Sequence, residues 1–308
     1  MSLPRGVYRI HNAGVPVVMD LYNGSSADNT KITGWKFGEA INWNQLWLVK
    51  PVDGKADTFT VRSLIAGTYM DLFCGKCARY HLFSTCNFLF FSGRSDNRTS
   101  IIGYHKTGNT NQEWIIKHFA DNKSYKMKNH ASGTFADLYS GNSSKGTQIC
   151  GWEGGFNNTH SHQCWFFQRM SLSSADIRNI IGRDPQLSRY YTSYQVDAEY
   201  LILPRYLWQE IWESTGLRNK NWRKEIFDYD DFALVMKAAV ARWGADKCRA
   251  NGFSIFCGLM LGRSQKNPGE GHAYNFTISD DHSKVLFFEP QTNEFMDRVR
   301  YDAYLAYF

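Results

Sequence analysis

The chain has 308 residues and a formal net charge of +6, from 35 Lys and Arg against 29 Asp and Glu. No run of five or six basic residues gathers this charge, which argues against a nucleic-acid-binding protein. No segment approaches the roughly 18 consecutive apolar residues of a transmembrane helix, and the length suggests two domains of ordinary size.

The N-terminal segment and the cysteines both favour a reducing compartment. The stretch "MSLPRGVYRIHNAG" lacks the apolar core of a secretory signal, which predicts a cytoplasmic protein. Seven Cys, an odd number at irregular spacing, do not form the pattern of a disulfide framework. Cys74 and Cys77 have the spacing of half a metal site, but no second ligand pair follows, so two unpaired thiols are the favoured interpretation.

Residues 1 to about 170 contain a threefold repeat of three marks in one order. The marks are Asp-Leu (Asp20-Leu21, Asp71-Leu72, Asp137-Leu138), Gly-aromatic (Gly34-Trp35, Gly103-Tyr104, Gly151-Trp152) and Gln-x-Trp (ending at Trp47, Trp114 and Trp165). Around them, alternating apolar and polar residues with Gly, Asn and Ser turns predict short strands and hairpins. Three such units predict one all-β barrel.

This pattern resembles the ricin B-type β-trefoil lectin family over roughly residues 4 to 170. In that family the Trp of Gln-x-Trp packs in the core, while the Asp, the polar residue before the Gln and the mid-repeat aromatic contact the sugar. The resemblance implies three carbohydrate-binding groups: Asp20, Trp35, Asn44 and Gln45; Asp71, Tyr104, Asn111 and Gln112; and Asp137, Trp152, His162 and Gln163.

The physical chemistry of sugars agrees with these residue types. A pyranose has an apolar C–H face and a rim of hydroxyls, so it fits a flat ring beside short donors and acceptors. In the alternative interpretation, the Gln and Asp side chains only tie each repeat together by hydrogen bonds.

The second repeat contains 18 surplus residues. The Asp and the Gly-aromatic pair are 14 residues apart in the first and third repeats but 32 apart in the second. The surplus lies at about 76–93, in an apolar, Cys-rich stretch where a surface loop ought to be polar. Its ends can be encoded as splice-like sequences, which favours a retained intron. The rival hypothesis is a real loop inserted at the second sugar site.

After about residue 170 the repeat ends, and the sequence pattern predicts both helices and strands. Ser173 or Ser174 is the expected N-cap of a first helix, and helices are predicted at 204–215 and about 229–245. Strands are predicted at "GFSIFCGLML", "HAYNFTIS" and "KVLFFEP". This succession indicates an α+β domain over 171–308, beside the all-β domain of 1–170.

Several phrases of the chain resemble the Marasmius oreades agglutinin family of fungal chimerolectins. They include "DYDDFALVMKAAVARWGAD", "ANGFSIFCGLMLG", "HAYNFT" and "VLFFEPQ". The resemblance implies a ricin B-type trefoil joined to a papain-like, calcium-dependent cysteine protease domain that forms a homodimer. The family's catalytic His and Glu map onto His272 and Glu289, but its nucleophilic Cys maps onto Tyr229. Cys257, in an apolar strand, is expected to be buried and not to replace it.

A group of acidic residues surrounds Tyr229. Glu225, Asp228, Asp230 and Asp231 supply the hard oxygen ligands that Ca²⁺ prefers, and a bound cation would favour a thiolate at a helix N-terminus. A phenol with a pKa of about 10 is mostly protonated at neutral pH and cannot replace sulfur in acyl transfer. The sequence therefore predicts calcium as the cofactor and an inactive protease-like domain.

Two functions compete. The first is a lectin for galactosyl-type or sialyl-type glycans with an inactive papain-like domain, reaching external glycans after release or ingestion in fungal defence. The second is an active calcium-dependent cysteine protease toxin targeted by its lectin domain, with Tyr229 a variant or a sequence error. A purely structural protein would explain neither the repeated groups nor the acidic residues.

Overall fold

The computed structural model describes residues 2–73, 95–119, 123–184, 186–267 and 269–308, with the backbone alone for 188–190. Two compact units divide the chain. The first comprises Met1–Arg169 with Cys248–Asn251, and the second comprises Met170–Lys247 with Gly252–Phe308. The predicted surplus at 76–93 and the Cys74 and Cys77 pair lie outside the described residues.

The first unit consists of strands and single turns of 3₁₀ helix. Its strands are β1 (Gly6–Asn12), β2 (Val18–Leu21), β3 (Thr30–Trp35), β4 (Leu46–Pro51), β5 (Thr58–Ser63), β6 (Tyr69–Leu72), β7 (Thr99–Tyr104), β8 (Trp114–His118), β9 (Tyr125–Asn129), β10 (Phe135–Leu138), β11 (Thr147–Trp152) and β12 (Trp165–Arg169). A 3₁₀ turn ends at the Gln of each Gln-x-Trp triplet, at Trp43–Gln45, Thr110–Gln112 and Ser161–Gln163. Two more follow Asp-Leu, at Tyr22–Gly24 and Tyr139–Gly141.

Strand pairing closes these elements into a barrel with a cap. Antiparallel pairs join β1 to β4, β4 to β5, β5 to β8, β8 to β9, β9 to β12 and β12 back to β1. The hairpins β2–β3, β6–β7 and β10–β11 meet one another through β3, β7 and β11. A six-stranded barrel capped by three hairpins is a β-trefoil, which has no free edge in the barrel.

The repeated marks explain the threefold packing. Trp47, Trp114 and Trp165 are fully buried in the barrel core, and each indole N–H donates to a backbone carbonyl of its own repeat, at 3.1, 3.0 and 3.0 Å. The Gly before each aromatic lies against the Leu of an Asp-Leu pair from a neighbouring repeat. A Cβ at Gly34, Gly103 or Gly151 would stand 2.6–2.8 Å from Leu138, Leu21 or Leu72, respectively. A larger residue there would push the hairpins apart.

The second unit mixes helices with two sheets. Its elements are β13 (Ser171–Ser173), α1 (Ser174–Ile181), β14 (Leu187–Tyr194), β15 (Glu199–Leu201), α2 (Arg205–Thr215), α3 (Tyr229–Lys247), β16 (Ser254–Ile255), β17 (Gly258–Ser264), β18 (Gly271–Ile278), β19 (Val285–Glu289), β20 (Glu294–Met296) and β21 (Tyr301–Tyr307). Six strands form a sheet in the order β14-β21-β17-β18-β19-β20, and β13, β15 and β16 form a small second sheet. Ala233 of α3 packs on Leu259 and Ala273 of the larger sheet.

The predicted helices are confirmed, with boundaries that differ by two residues or fewer. Ser173 is the N-cap of α1, in a reciprocal capping box with Asp176. The strand predicted over 252–261 is wrong as one element, because β16 and β17 belong to different sheets and Phe256 and Cys257 separate them. Within the described part of the chain, no helix is long and apolar enough to cross a membrane.

Candidate functional site

Each cap hairpin carries an aspartate on its first strand and an aromatic residue at the end of its second. The aromatic residues pair across the hairpin with the residue two positions before the aspartate, so both side chains lie on one face. We name the groups by repeat: set 1 is Asp20, Trp35, Asn44 and Gln45; set 2 is Asp71, Tyr104, Asn111 and Gln112; set 3 is Asp137, Trp152, His162 and Gln163.

The three glutamines are buried and tie each set together. Gln45, Gln112 and Gln163 donate from Nε2 to the carbonyl that follows the aromatic residue, at 3.0, 2.7 and 3.0 Å. In sets 1 and 3 the same Nε2 also donates to the aspartate Oδ2, at 3.0 and 2.9 Å. These contacts are the structural role that the sequence left as an alternative, and they fix the carboxylate beside the ring.

The residue before each glutamine differs in chemistry between the sets. Asn111 Nδ2 donates to Asp71 Oδ1 at 2.8 Å, and His162 Nδ1 lies 2.8 Å from Asp137 Oδ2. In set 1 the corresponding contact to Asp20 comes from Asn42, at 3.5 Å. Two sets thus present an amide and one an imidazole next to the carboxyl group.

The three aspartates are buried, and burial raises the pKa of each. For Asp71 the desolvation outweighs the opposing amides of Gln112 and Asn111 and raises the pKa to about 7. The pKa values of Asp20 and Asp137 also rise through desolvation, against the lowering hydrogen bonds from Gln45 and Gln163. A carboxyl group held in this way can accept a hydrogen bond from a ligand hydroxyl, or donate one when protonated.

The three aromatic rings are half-buried, so each keeps an accessible surface beside its aspartate. The ammonium group of Lys145 lies 5.7 Å from the centre of the Trp35 ring. The imidazole of His105 lies 4.4 Å from the Tyr104 ring. A flat ring beside a buried carboxyl group is the combination that a pyranose requires.

Sequence reasoning missed several residues next to the sets. The centres of the Tyr139 and Trp152 rings lie 6.1 Å apart. The Arg98 guanidinium stacks on the Tyr139 ring, 4.8 Å from its centre, and donates to the Tyr139 hydroxyl. Asp28, from the first repeat, accepts hydrogen bonds from the N–H and Nδ1 of His105 in the second, at 2.8 and 2.7 Å. The signal for Tyr139 was available, because Asp-Leu-Tyr occurs in both the first and third repeats.

In the second unit the structure brings together the three residues that the resemblance nominated. Tyr229 begins α3, His272 lies on β18, and Glu289 ends β19. His272 Nε2 lies 2.6 Å from Glu289 Oε2, and the Tyr229 ring packs against the imidazole with centroids 4.1 Å apart. Tyr301 stacks on the His272 imidazole, at 4.6 Å and 20°.

The other imidazole nitrogen of His272 is buried. Among the described residues, none forms a hydrogen bond with Nδ1. A buried polar atom without a partner is costly, and it often marks a group that serves a reaction or a ligand. The centre of the exposed Trp222 indole lies 5.7 Å from that of the Tyr229 ring, on the residue that packs against His272.

The acidic residues around Tyr229 form a tight group. One carboxylate oxygen each from Asp228, Asp230 and Asp231 lies within 4.8 Å of the others, and this group does not include Glu225. A hydrogen bond shared with Asp228 raises the pKa of Asp230, and the same bond lowers the pKa of Asp228. Asp231 also has a structural role, since it accepts the Asp228 N–H at 3.0 Å in the first turn of α3.

Cys257 is buried, as the sequence predicts. Burial raises the pKa of its thiol to about 12, against the lowering effect of Lys237. Asn275 Nδ2 lies 3.7 Å from its sulfur. A fully buried thiol of this kind is unreactive at neutral pH, because the thiolate is the nucleophile.

Comparison with known proteins identifies both halves of the chain. Residues 43–152 match the family described as ricin-type beta-trefoil lectin domain-like, and residues 200–295 match the family described as agglutinin C-terminal. The Polyporus squamosus lectin, solved with the human-type influenza-binding epitope Neu5Acα2-6Galβ1-4GlcNAc, is 36% identical with a TM-score of 0.80, and the match covers 100% of both chains. PSL1a, solved in a complex with E64, is 35% identical with a TM-score of 0.80, again over 100% of both chains.

The chain belongs to the Polyporus squamosus lectin family. This membership confirms the ricin B-type β-trefoil and the agglutinin C-terminal half. No curated protein matches the chain. The narrower resemblance to the Marasmius oreades agglutinin and the protease-like character of the second unit remain predictions.

Proposed function

We propose that the first unit binds glycans through sets 1, 2 and 3. The observation that carries this proposal is the threefold recurrence of a half-exposed ring beside a buried, hydrogen-bonded carboxyl group. In this account the Asp, the ring and the neighbouring Asn or His contact the sugar. The buried Gln does not contact it and instead holds the Asp and the loop after the ring.

Glycans ending in galactose or sialic acid are the proposed ligands. The Polyporus squamosus lectin was solved with a sialylated lactosamine, which supports this class. Set 3 has the surroundings best suited to an acidic sugar, because the Arg98 guanidinium stacks on Tyr139, whose ring centre lies 6.1 Å from that of Trp152. Cationic groups favour a carboxylate ligand over a neutral one.

The second unit is proposed to be a papain-like module whose nucleophile position is occupied by Tyr229. Three observations support this: the helix start at Tyr229, the 2.6 Å contact of His272 with Glu289, and the partnerless Nδ1 within the described structure. The complex of PSL1a with E64, a thiol-directed reagent, also supports the assignment. A phenol in place of the thiol leaves the pair without a nucleophile, so no cysteine-protease activity is expected.

Calcium is the proposed cofactor of this module. The carboxylate oxygens of Asp228, Asp230 and Asp231 lie within 4.8 Å of one another, a spacing compatible with ligands of one ion at about 2.4 Å. Two of these groups share a hydrogen bond, a crowding of like charges that a cation would relieve. When bound, calcium would neutralise the group at the start of α3.

A homodimer through the second unit completes the proposal. A dimer would present six sets and agglutinate cells by multivalent contact. Light scattering of the full chain should then give twice the mass of the 308-residue polypeptide. A monomeric mass at micromolar concentration would remove this part of the proposal and leave the binding sets unaffected.

Isothermal titration of the full chain with Neu5Acα2-6Galβ1-4GlcNAc and with Galβ1-4GlcNAc tests the binding function. Trp35→Ala, Tyr104→Ala and Trp152→Ala should each remove one binding event, and the combined variant should lose at least tenfold in affinity. Tyr206→Ala, an exposed aromatic on α2, is the matched control. Unchanged titrations for the combined, folded variant would refute the assignment of the sets.

A further inference from the structure

A depression on the outside of the barrel lies apart from the three sets. It is formed by β1, β12 and the loop after β3, with a volume of about 590 Å³. The residues that matter here are Arg9, His11, Phe37, Glu39, Phe166 and Gln168. This volume is within the range of ligand-binding clefts, roughly 300–1,000 Å³.

Two aromatic rings line the depression with their surfaces in solvent. Phe37 is 44% exposed and Phe166 is 37% exposed, whereas the other described Phe side chains of this unit are buried or half-buried. Single exposed apolar residues are common on protein surfaces. Two phenyl rings lining one depression are a more specific feature, because together they form an apolar contact surface.

Polar groups stand beside these rings. The Arg9 guanidinium carbon lies 5.9 Å from the Phe37 ring centre, and the His11 imidazole meets the same ring edge-on at 4.7 Å. His11 Nε2 lies 2.9 Å from Gln168 Oε1. Burial and the nearby charge of Arg9 lower the pKa of His11, against the raising effect of the Gln168 hydrogen bond. Rings, an imidazole and an amide side chain therefore converge on one space.

The pseudo-threefold symmetry shows that the fold does not require this arrangement. Strand register places Arg62 and Lys128 in the other two repeats at the position that His11 occupies in the first. The residue after the carbonyl that each Gln contacts is Phe37 in the first repeat, Lys106 in the second and Gly154 in the third. At the equivalents of Phe166 stand Leu48 and Ile115, and Leu48 is only 4% exposed. The aromatic pair with its imidazole occurs in one of three equivalent places, so barrel packing does not explain it.

We infer that this depression is a fourth saccharide site, which binds one neutral pyranose ring. The sugar's C–H face would lie on Phe37 or Phe166, and its hydroxyls would exchange hydrogen bonds with His11, Gln168 and Glu39. The opposite charges of Arg9 and Glu39 balance, which favours a neutral sugar over an anionic one. The inference shares only its ligand class with the proposed function, because it uses none of the residues of sets 1 to 3.

Saturation-transfer NMR tests the fourth site in the combined variant Trp35→Ala, Tyr104→Ala, Trp152→Ala. The probes are the methyl glycosides of galactose, glucose, mannose and N-acetylglucosamine at millimolar concentration. At least one should still receive saturation, and adding Phe37→Ala with Phe166→Ala should reduce the signal at least fivefold. Adding Lys106→Ala, the pseudo-equivalent of Phe37, should leave it unchanged.

Each contrary outcome has a separate meaning. A parent chain that binds sugars while the combined variant binds none overturns the fourth site and leaves the proposed function standing. A signal that persists after both Phe substitutions also overturns it. A parent chain that binds no sugar refutes both proposals. If the two Phe substitutions change the mass in light scattering, the surface is a contact between copies of the chain and the inference fails.

Discussion

The ring of Tyr229 packs edge-on against the imidazole of His272, with centroids 4.1 Å apart, and Nε2 of the same imidazole lies 2.6 Å from Glu289 Oε2. A thiol in place of the phenol would be smaller and would stand at the N-terminus of α3, beside the His272 imidazole. A helix N-terminus and a neighbouring imidazole both lower a thiol pKa. In the proposed papain-like module, His272 would be the base and Glu289 its orienting acid, with the Tyr229 ring packed against the imidazole.

Replacing Tyr229 by Cys should produce a protease. We expect Tyr229→Cys to cleave casein in the presence of calcium, at least ten times faster than the parent chain, and to be inhibited by E64. Tyr229→Phe and the double variant Tyr229→Cys with His272→Ala are the controls, and both should remain inactive. Cleavage of casein by the parent chain, blocked by E64, would show instead that the active-enzyme hypothesis is right.

Calcium should stabilise the second unit through Asp228, Asp230 and Asp231. A ligand that binds only the folded state at 100 times its Kd adds about 2.7 kcal/mol to the free energy of unfolding. Differential scanning calorimetry should therefore show a rise of several degrees in Tm with millimolar calcium but not magnesium. Asp230→Asn should abolish the rise, and Asp246→Asn, an exposed acid at the other end of α3, should preserve it. An equal rise in both variants would exclude this group as the calcium site.

Lys126 should support set 3 from a distance. Its side chain is 0% exposed, and Nζ donates to the carbonyls of Gly155 and Asn158 at 2.9 and 2.6 Å and to the Asn158 side chain. Asn158 Nδ2 in turn donates to Gln163 Oε1 at 3.1 Å, and Gln163 holds Asp137.

Lys126→Met leaves these partly buried oxygens without the Lys126 donor, which should cost roughly 2–4 kcal/mol in the free energy of unfolding. It should also weaken sugar binding at set 3 more than at set 1. Lys128→Met, two residues along the same strand, is the matched control and should change little. Denaturant unfolding measures the free energy of unfolding of both variants, and titration with sugar measures their binding. Equal effects of the two substitutions on both quantities would show that Lys126 has no special role.

Asp71 should make stability depend on pH. Its folded pKa of about 7 lies above the ordinary value of 3.8, so the folded state holds a proton that the unfolded state has lost between these values. The contribution of Asp71 to the free energy of unfolding is fully present below about pH 4 and is lost as the pH rises to about 7. The free energy of unfolding falls over this range by no more than about 1.4 kcal/mol per pH unit.

Asp71→Asn, which cannot ionise, should therefore gain stability relative to the parent between pH 4 and pH 7. The measurement is urea unfolding of both proteins at several pH values, with the exposed Asp53→Asn as the control. Parallel pH profiles for the parent and Asp71→Asn would mean that Asp71 is ionised throughout this range.

The trefoil could be predicted from the sequence because its packing repeats. The buried Trp, the close Gly and Leu contacts and the Asp on each hairpin recur at fixed places in three repeats, so each repeat supports the interpretation of the others. The helices of the second unit were also predictable, because Ser173 caps α1 and the apolar spacing of α3 is helical.

Other features depend on contacts between distant segments, which local patterns do not reveal. Strand β14 pairs in parallel with the C-terminal strand β21, and nothing in the period of either sequence specifies this partner. Lys126 alternates with Tyr125 and Met127 as a solvent-facing residue would, yet the loop that contains Gly155 and Asn158 covers it. The depression at Phe37 and Phe166 could not be predicted from the repeated residues, because its aromatic pair occurs at only one of the three equivalent places.

A glycan array probed with the purified parent chain tests the central claim most directly. We predict binding to glycans that end in galactose or sialic acid, and loss of most of that binding in the combined variant Trp35→Ala, Tyr104→Ala, Trp152→Ala. A folded parent chain that binds no glycan on the array would contradict the account.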